Sequence, residues 1–77
     1  MDINVVSKKL ENEFNCQFTG VFKYRNHQFV KAVEVLDWGI RYRYFEILKN
    51  NKIVEILDEV ILKYFKSTYE IHTKENY

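Results

Sequence analysis

Twice along this chain the period of the apolar residues changes, and those two changes restrict it to a mixed fold. Residues 2–14, DINVVSKKLENEF, place Ile3, Val6, Leu10 and Phe14 on one stripe at helical spacing, with Asp2 available as N-cap. From Cys16 to Leu48 the period is two, and turn-like breaks at RNHQ (25–28) and DWG (37–39) divide the segment into three strands. From Asn51 onward helical spacing returns. Ile53, Ile56, Leu57, Val60, Ile61, Tyr64 and Phe65 fall on one broad face, with Glu55, Asp58, Glu59, Lys63 and Lys66 opposite. The spacing predicts a helix from there through about residue 67. A rival reading turns EILKNNKIVEIL into a hairpin at Asn50-Asn51, followed by a shorter helix from Asp58. The apolar match, which continues for three further turns, favours the helix.

The expected order is therefore α-β-β-β-α, a single α+β domain over residues 1–67. Residues 68–77, TYEIHTKENY, read as a polar C-terminal tail in which Tyr69 and Ile71 are available as a short edge strand. Short connections make the three-stranded sheet antiparallel, and both helices can cover one face of it. The expected architecture is a two-layer sandwich with the other sheet face open.

With 77 residues, a single core only just offsets the entropy of ordering the backbone. One cysteine, Cys16, excludes an internal disulfide, and the lack of a charged-then-apolar leader or a long apolar run leads us to expect a cytoplasmic protein that enters no membrane. Twelve basic against eleven acidic residues give a net charge of +1, so no strong non-specific attraction to nucleic acid or anionic lipid is expected. An apolar content of 47% with 17% aromatic residues is that of a folding chain. Proline is absent and Gly20 and Gly39 are the only glycines, which excludes a flexible linker or a glycine-rich phosphate cradle.

The third strand segment, GIRYRYFEIL (39–48), is the least regular. Ile40, Tyr42, Tyr44, Glu46 and Leu48 share one side and Arg41, Arg43, Phe45 and Ile47 the other, and neither set is cleanly apolar. A bulge near Tyr44-Phe45 reconciles the pattern by sending Ile40, Tyr42, Tyr44 and Ile47 toward the helices and Arg41, Arg43 and Glu46 to the open face. In the first strand Phe18, Gly20, Phe22 and Tyr24 form the larger apolar face, which leaves Lys23 and Arg25 beside the arginines. The middle strand is ambiguous: Phe29, Lys31, Val33 and Val35 share one side, Val30, Ala32, Glu34 and Leu36 the other. Either assignment leaves apolar side chains among the charges of the open face, the composition of a binding surface. Simple solvation of an outer sheet face accounts for each arginine equally well. Trp38 in DWG is either a binding anchor or a cover over the sheet edge. The candidate partner-binding residues are Lys23, Arg25, Trp38, Arg41 and Arg43.

The second helix carries an apolar arc of about half its circumference, where roughly 100° suffices for one buried side. The first helix packed across its flank covers the excess, or else a dimer interface or partner groove does, so the chain is expected as monomer or homodimer. Chemistry is weakly represented. Cys16 with His27 or His72 lacks a local motif for a nucleophile and base, and a lone cysteine at a strand start is usually a small buried hydrophobe. Glu55, Asp58 and Glu59 lie among lysines as a solvated helix face. Two histidines and one cysteine, widely separated, make no metal site, and no cofactor motif is present. The expectation is a non-enzymatic protein.

FKYR and RYRY interleave aromatic and basic residues as base-stacking sheet surfaces do, so single-stranded nucleic-acid binding is the alternative function. The element order is similar to that of double-stranded-RNA-binding domains. Those domains open their last helix with a lysine cluster, whereas NNKIVE offers Lys52 alone. NHQF (26–29) resembles the histidine-bearing strand of HicA-type ribonuclease toxins, which makes His27 the candidate for a third, catalytic reading. The usual glycine before the histidine region is missing. Finally, MDIN opening a helix, LEN within it, FTG in the first strand, DWG at the second turn and IVE opening a later helix resemble small phage-encoded anti-CRISPR inhibitors of Cas9. That resemblance covers about residues 1–66 and implies an inhibitor that binds a host nuclease or its RNA complex. Best-known members carry dense acidic surfaces that mimic DNA, and this nearly neutral chain does not. A mixed basic and aromatic face would bind the nuclease protein or its guide RNA instead.

Overall fold

The first helix begins where its cap residue dictates. In the computed structural model, which describes residues 1–70, the Asp2 carboxylate accepts from the backbone N–H groups of Asn4 (3.0 Å) and Val5 (3.3 Å). These are donors that a first helical turn cannot pair by itself. Helix α1 spans Ile3–Phe14 and stops at Asn15, whose left-handed φ of 55° is more readily adopted by Asn than by most residues. Val6 and Leu10 are its buried residues, one turn apart.

Strands β1 (Gln17–Tyr24), β2 (His27–Leu36) and β3 (Gly39–Ile47) form the expected antiparallel meander. The sheet, however, has four strands in the order β1-β2-β3-β4, because Ile53–Glu55 forms β4 and pairs antiparallel with Phe45–Ile47. This corrects the three-stranded expectation and the long second helix with it. The hairpin reading at Asn50-Asn51 holds: both residues have positive φ, 60° and 59°, a backbone that Asn tolerates and a helix interior does not. Helix α2 is confined to Glu59–Phe65, its start set by Asp58, which accepts from the N–H groups of Val60 and Ile61. The apolar spacing of residues 53–57 fits strand as well as helix over so few residues, and pairing with β3 decided between them. The backbone continues beyond α2 as a π-helical stretch, Lys66–Glu70, into the segment assigned to the tail. Ile71 and the rest of that segment lie outside the described residues.

A second correction concerns the layers. The helices do not share a face. Val6 and Leu10 of α1 pack with Val30, Ala32, Phe45 and Ile47, whereas Phe65 of α2 packs with Phe29 and Tyr44. Consecutive residues of one strand point to opposite sides, so α1 and α2 sandwich the sheet between them. The irregular β3 sequence follows directly from this. Its register against β2 runs unbroken from Gln28↔Ile47 to Leu36↔Gly39, with no bulge at Tyr44-Phe45. Tyr42 and Tyr44 face α2, while Arg41, Arg43, Phe45 and Ile47 lie on the α1 side. The register shift falls in β1 instead, between Phe18 and Gly20, and lets Phe18 join the α1 core while Phe22 and Tyr24 join the α2 core.

The α2 core is almost entirely aromatic. Phe65 is fully buried with its ring 5.0 Å from Phe22, 6.0 Å from Tyr24, 5.0 Å from Phe29 and 5.6 Å from Tyr44, mostly edge to face. Phe65→Ala is expected to cost about 3–5 kcal/mol, a large share of the stability of a domain this small, read as a lowered urea midpoint at unchanged slope. Phe65→Leu, which keeps most of the volume, should lose less than half of that.

A candidate docking surface at the β2–β3 hairpin

Arg43 is a structural residue. From β3 its guanidinium reaches Glu55 on β4 through two parallel bonds, Nε to Oε2 at 2.8 Å and Nη2 to Oε1 at 2.5 Å, and lies 3.6 Å from Glu34 on β2. The same group donates to the Phe14 carbonyl at 3.1 Å, where α1 ends with unpaired carbonyls. It also stands 5.6 Å from the ring centres of Phe14 and Phe45. A planar five-donor fork serves all these partners at once, which a lysine does not. The hydrogen bonding to Glu55 is the main reason that its pKa lies above the ordinary arginine value, so it is charged at every relevant pH.

Cys16 lies beneath this network. Its thiol is buried, donates to the Phe14 carbonyl at 3.3 Å, and has Arg43 Nη1 3.6 Å away. Burial pushes the thiol pKa up, against the opposing pull of the guanidinium. His27, on the α2 side of the sheet, is hydrogen-bonded through Nδ1 to Glu46 at 2.7 Å, so sheet and core separate it from Cys16. His72 lies outside the described residues. Among the described residues no group of three acidic, histidine or cysteine side chains is arranged to hold a metal ion. No helix of the described residues is long and apolar enough to cross a membrane.

The other candidate residues divide between the two ends of β2. Lys23 and Arg25 are exposed at the β1–β2 turn, where Arg25 takes a positive φ of 50° and its guanidinium sits 5.4 Å over the ring of Tyr24. Arg41 and Trp38 are at the β2–β3 turn, the opposite end. Arg41 is held by Glu34, its cross-strand partner, with Nε at 3.0 Å and Nη2 at 2.5 Å from one carboxylate oxygen. Lys23, Arg25, Arg41 and Arg43 therefore do not form one basic cluster.

What gathers around Trp38 is apolar. Trp38 is 75% exposed, Val35 64% and Ile40 52%, and Val35 and Ile40 are direct cross-strand partners on the α2 side, beyond the reach of the short helix. Trp38, Ile40, Arg41, Tyr42 and Lys66 line a shallow hollow there. Gly39 makes the geometry available: its φ of +147° is strained for any side chain, although a Cβ would meet no neighbouring atom. Among the described residues β4 covers β3 only along Phe45–Ile47, and Ile56 N–H takes the Tyr44 carbonyl, so the β3 edge beyond them toward Gly39 has no strand beside it.

Of the residues at this hollow and its cross-strand pair, Trp38 and Arg41 are among the sequence candidates, and Val35, Ile40, Tyr42 and Lys66 are not. A signal for part of this was present, because a two-residue turn at Asp37-Trp38 pairs Glu34 with Arg41 and Val35 with Ile40 by counting alone. Lys66 arrives only through the seating of α2. No protein-family model matches the chain, and neither any curated protein nor any solved structure does.

Two outcomes test these assignments. Arg43→Met leaves Glu34 and Glu55 without their largely buried partner and is expected to cost about 2–4 kcal/mol, whereas Arg43→Met with Glu55→Leu recovers much of it; equilibrium unfolding of the set measures the coupling. For Cys16 the folded pKa is raised, so the neutral thiol favours folding. That stability is complete below the ordinary thiol range and declines as pH rises through it. Unfolding free energy should therefore fall between about pH 8 and 10 by more in the parent than in Cys16→Val, with alkylation of the folded protein slow across that range.

Proposed function

We propose that this chain is a small non-enzymatic interaction protein whose contact surface is the β2–β3 hairpin: Trp38 as anchor, Val35 and Ile40 as its apolar floor, and Arg41 and Lys66 as a polar rim. The observation that carries the reading is the exposure of Trp38, Val35 and Ile40 together on one bare patch of sheet. A turn tryptophan in a ring of polar groups is the composition of a protein–protein hot spot. The open β3 edge beside it offers backbone donors and acceptors to an extended segment of the partner.

The class of partner follows from the sequence resemblance: a host nuclease or its RNA complex in the cytoplasm, inhibited by a phage-type protein. Single-stranded nucleic-acid binding has less support, because Arg41 and Arg43 are committed to Glu34 and Glu55 and the remaining basic candidates stand at the far end of β2.

Immobilised protein exposed to host lysate, with and without nuclease treatment, tests the reading. The expected result is a protein retained after nuclease treatment whose affinity falls about tenfold or more with Trp38→Ala and is little changed by Lys23→Glu with Arg25→Glu. Trp38 is exposed enough for its truncation to leave stability nearly unchanged. Retention abolished by nuclease, or binding indifferent to Trp38→Ala, overturns the proposal.

A further inference from the structure

The backbone of the open β3 edge has a direction that can be read residue by residue. The Ile56 N–H donates to the Tyr44 carbonyl, so Tyr44 turns its backbone groups away from β2 and toward the edge. In an antiparallel ladder that direction alternates from one residue to the next. Since the register of β3 against β2 is unbroken from Gly39 to Ile47, Ile40 and Tyr42 turn their N–H and C=O groups the same way. Among the described residues β4 ends at Glu55, opposite Phe45, and leaves the edge at Ile40 and Tyr42 without a strand. The other sheet edge, β1, is guarded by the exposed Lys23 and by its register shift after Phe18, two features that discourage strand addition.

The side chains around this edge specify what an added strand carries. Every second side chain of such a strand points to the α2 side, in line with Ile40 and Tyr42. The position opposite Tyr42 meets a hollow walled by Tyr42, Ile56, Leu57 and Leu62, and the position opposite Ile40 meets the one walled by Trp38, Ile40 and Tyr42. Lys66 lines both. Of the cations there, Arg41 is paired with Glu34 and Arg43 with Glu55, whereas the exposed Lys66 has no acidic partner among the described residues. Leu57 and Leu62 wall only the hollow beside Tyr42. An apolar side chain therefore belongs in that hollow, and a carboxylate for Lys66 belongs opposite Ile40. A second copy of β3 does not meet this description. Paired antiparallel with Ile40 opposite Tyr42, it sets Arg41 against Arg41 and brings no carboxylate to Lys66.

We infer that the partner of the hairpin surface supplies an extended polypeptide segment that adds to β3 antiparallel, with an apolar residue opposite Tyr42 and, two residues later, an acidic residue opposite Ile40. The segment pairs the N–H and C=O groups of both Ile40 and Tyr42 and continues the line in which β4 runs. This inference rests on the hairpin reading above and names the chemistry recognised there.

The probe is the capped peptide acetyl-Thr-Ile-Thr-Glu-Thr-amide, titrated into isotope-labelled protein and followed by amide NMR. A dissociation constant of about 1 mM or below is expected, with the Ile40 and Tyr42 amides shifted and slowed in hydrogen exchange. N-methylation of the peptide isoleucine, whose N–H faces Tyr42, should weaken binding by about tenfold or more, while N-methylation of the central threonine, whose N–H faces away, should not. Exchanging the peptide glutamate for lysine should weaken binding about threefold or more, and Lys66→Glu should reverse that preference. No binding at about 10 mM peptide, equal loss from both methylations, or a preference that Lys66→Glu leaves unchanged each overturns the inference. The hairpin reading stands or falls separately, on Trp38→Ala against the protein retained from lysate. A retained protein that depends on Trp38 but is not displaced by the peptide overturns strand addition alone.

Discussion

Tyr44 and Phe45 are neighbours in β3, and neither exposes any surface to solvent. Side chains that adjoin in a strand point to opposite faces, so this one dipeptide obliges the sheet to be covered on both sides. Phe29 and Val30 impose the same condition on β2. One helix cannot meet it. α1 closes over Phe45 with Val30, Ala32 and Ile47, and α2 closes over Tyr44 with Phe29. A chain of 77 residues thereby buries two small clusters where one helical layer would serve only one, which matters near the lower size limit for a stable core.

The short elements that make this possible also leave surface behind. Seven helical residues in α2 cover the aromatic cluster but not the hairpin end of the same sheet face, and three residues in β4 cover less than half of the β3 edge. The bare areas are apolar because β2 and β3 continue their alternation past the cover. Where charge enters the partly covered α1 side, it is neutralised within the fold: Arg41 by Glu34 and Arg43 by Glu55, with the end of α1 attached to the same guanidinium. Among the described residues no buried side-chain nitrogen or oxygen lacks a hydrogen-bond partner. The net charge of the chain thus conceals arginines spent on architecture.

Local chemistry was legible in the sequence. Asp2 marks a helix start with a side chain that accepts hydrogen bonds from backbone N–H groups, and Asp58 and Asn50-Asn51 carry the same kinds of signal in the rival hairpin reading. The meander was readable from its period, and Trp38 from its place in a turn. The role of Arg43 was not, since RYRY looks the same whether its arginines face solvent or a carboxylate on a neighbouring strand. Nor was the length of the last helix: Ile53 and Ile56 satisfy strand and helix spacing alike over one or two turns, and the available edge of β3 settled which they joined.

The sequence by itself determined the class of fold, the three long strands, the Asp2 cap and the turns between those strands, because each depends on contacts within a few residues; the Asn50-Asn51 turn and the helix start at Asp58 stood in it only as the rival to a longer helix. Only the tertiary structure decided which side of the sheet each helix takes. Apolar residues on both faces of β2 and β3 permit one layer of helices or two, and the choice rests on side chains far apart in the chain, Val6 and Leu10 against Phe45, Phe65 against Tyr44. The apolar surfaces left uncovered follow from that choice. How exposed Trp38, Val35 and Ile40 are depends on where α2 stops, and Val60 and Ile61 of α2 stay exposed because α1 lies beyond the sheet. Periodicity describes an element's own faces; what lies against them is a property of the assembled chain.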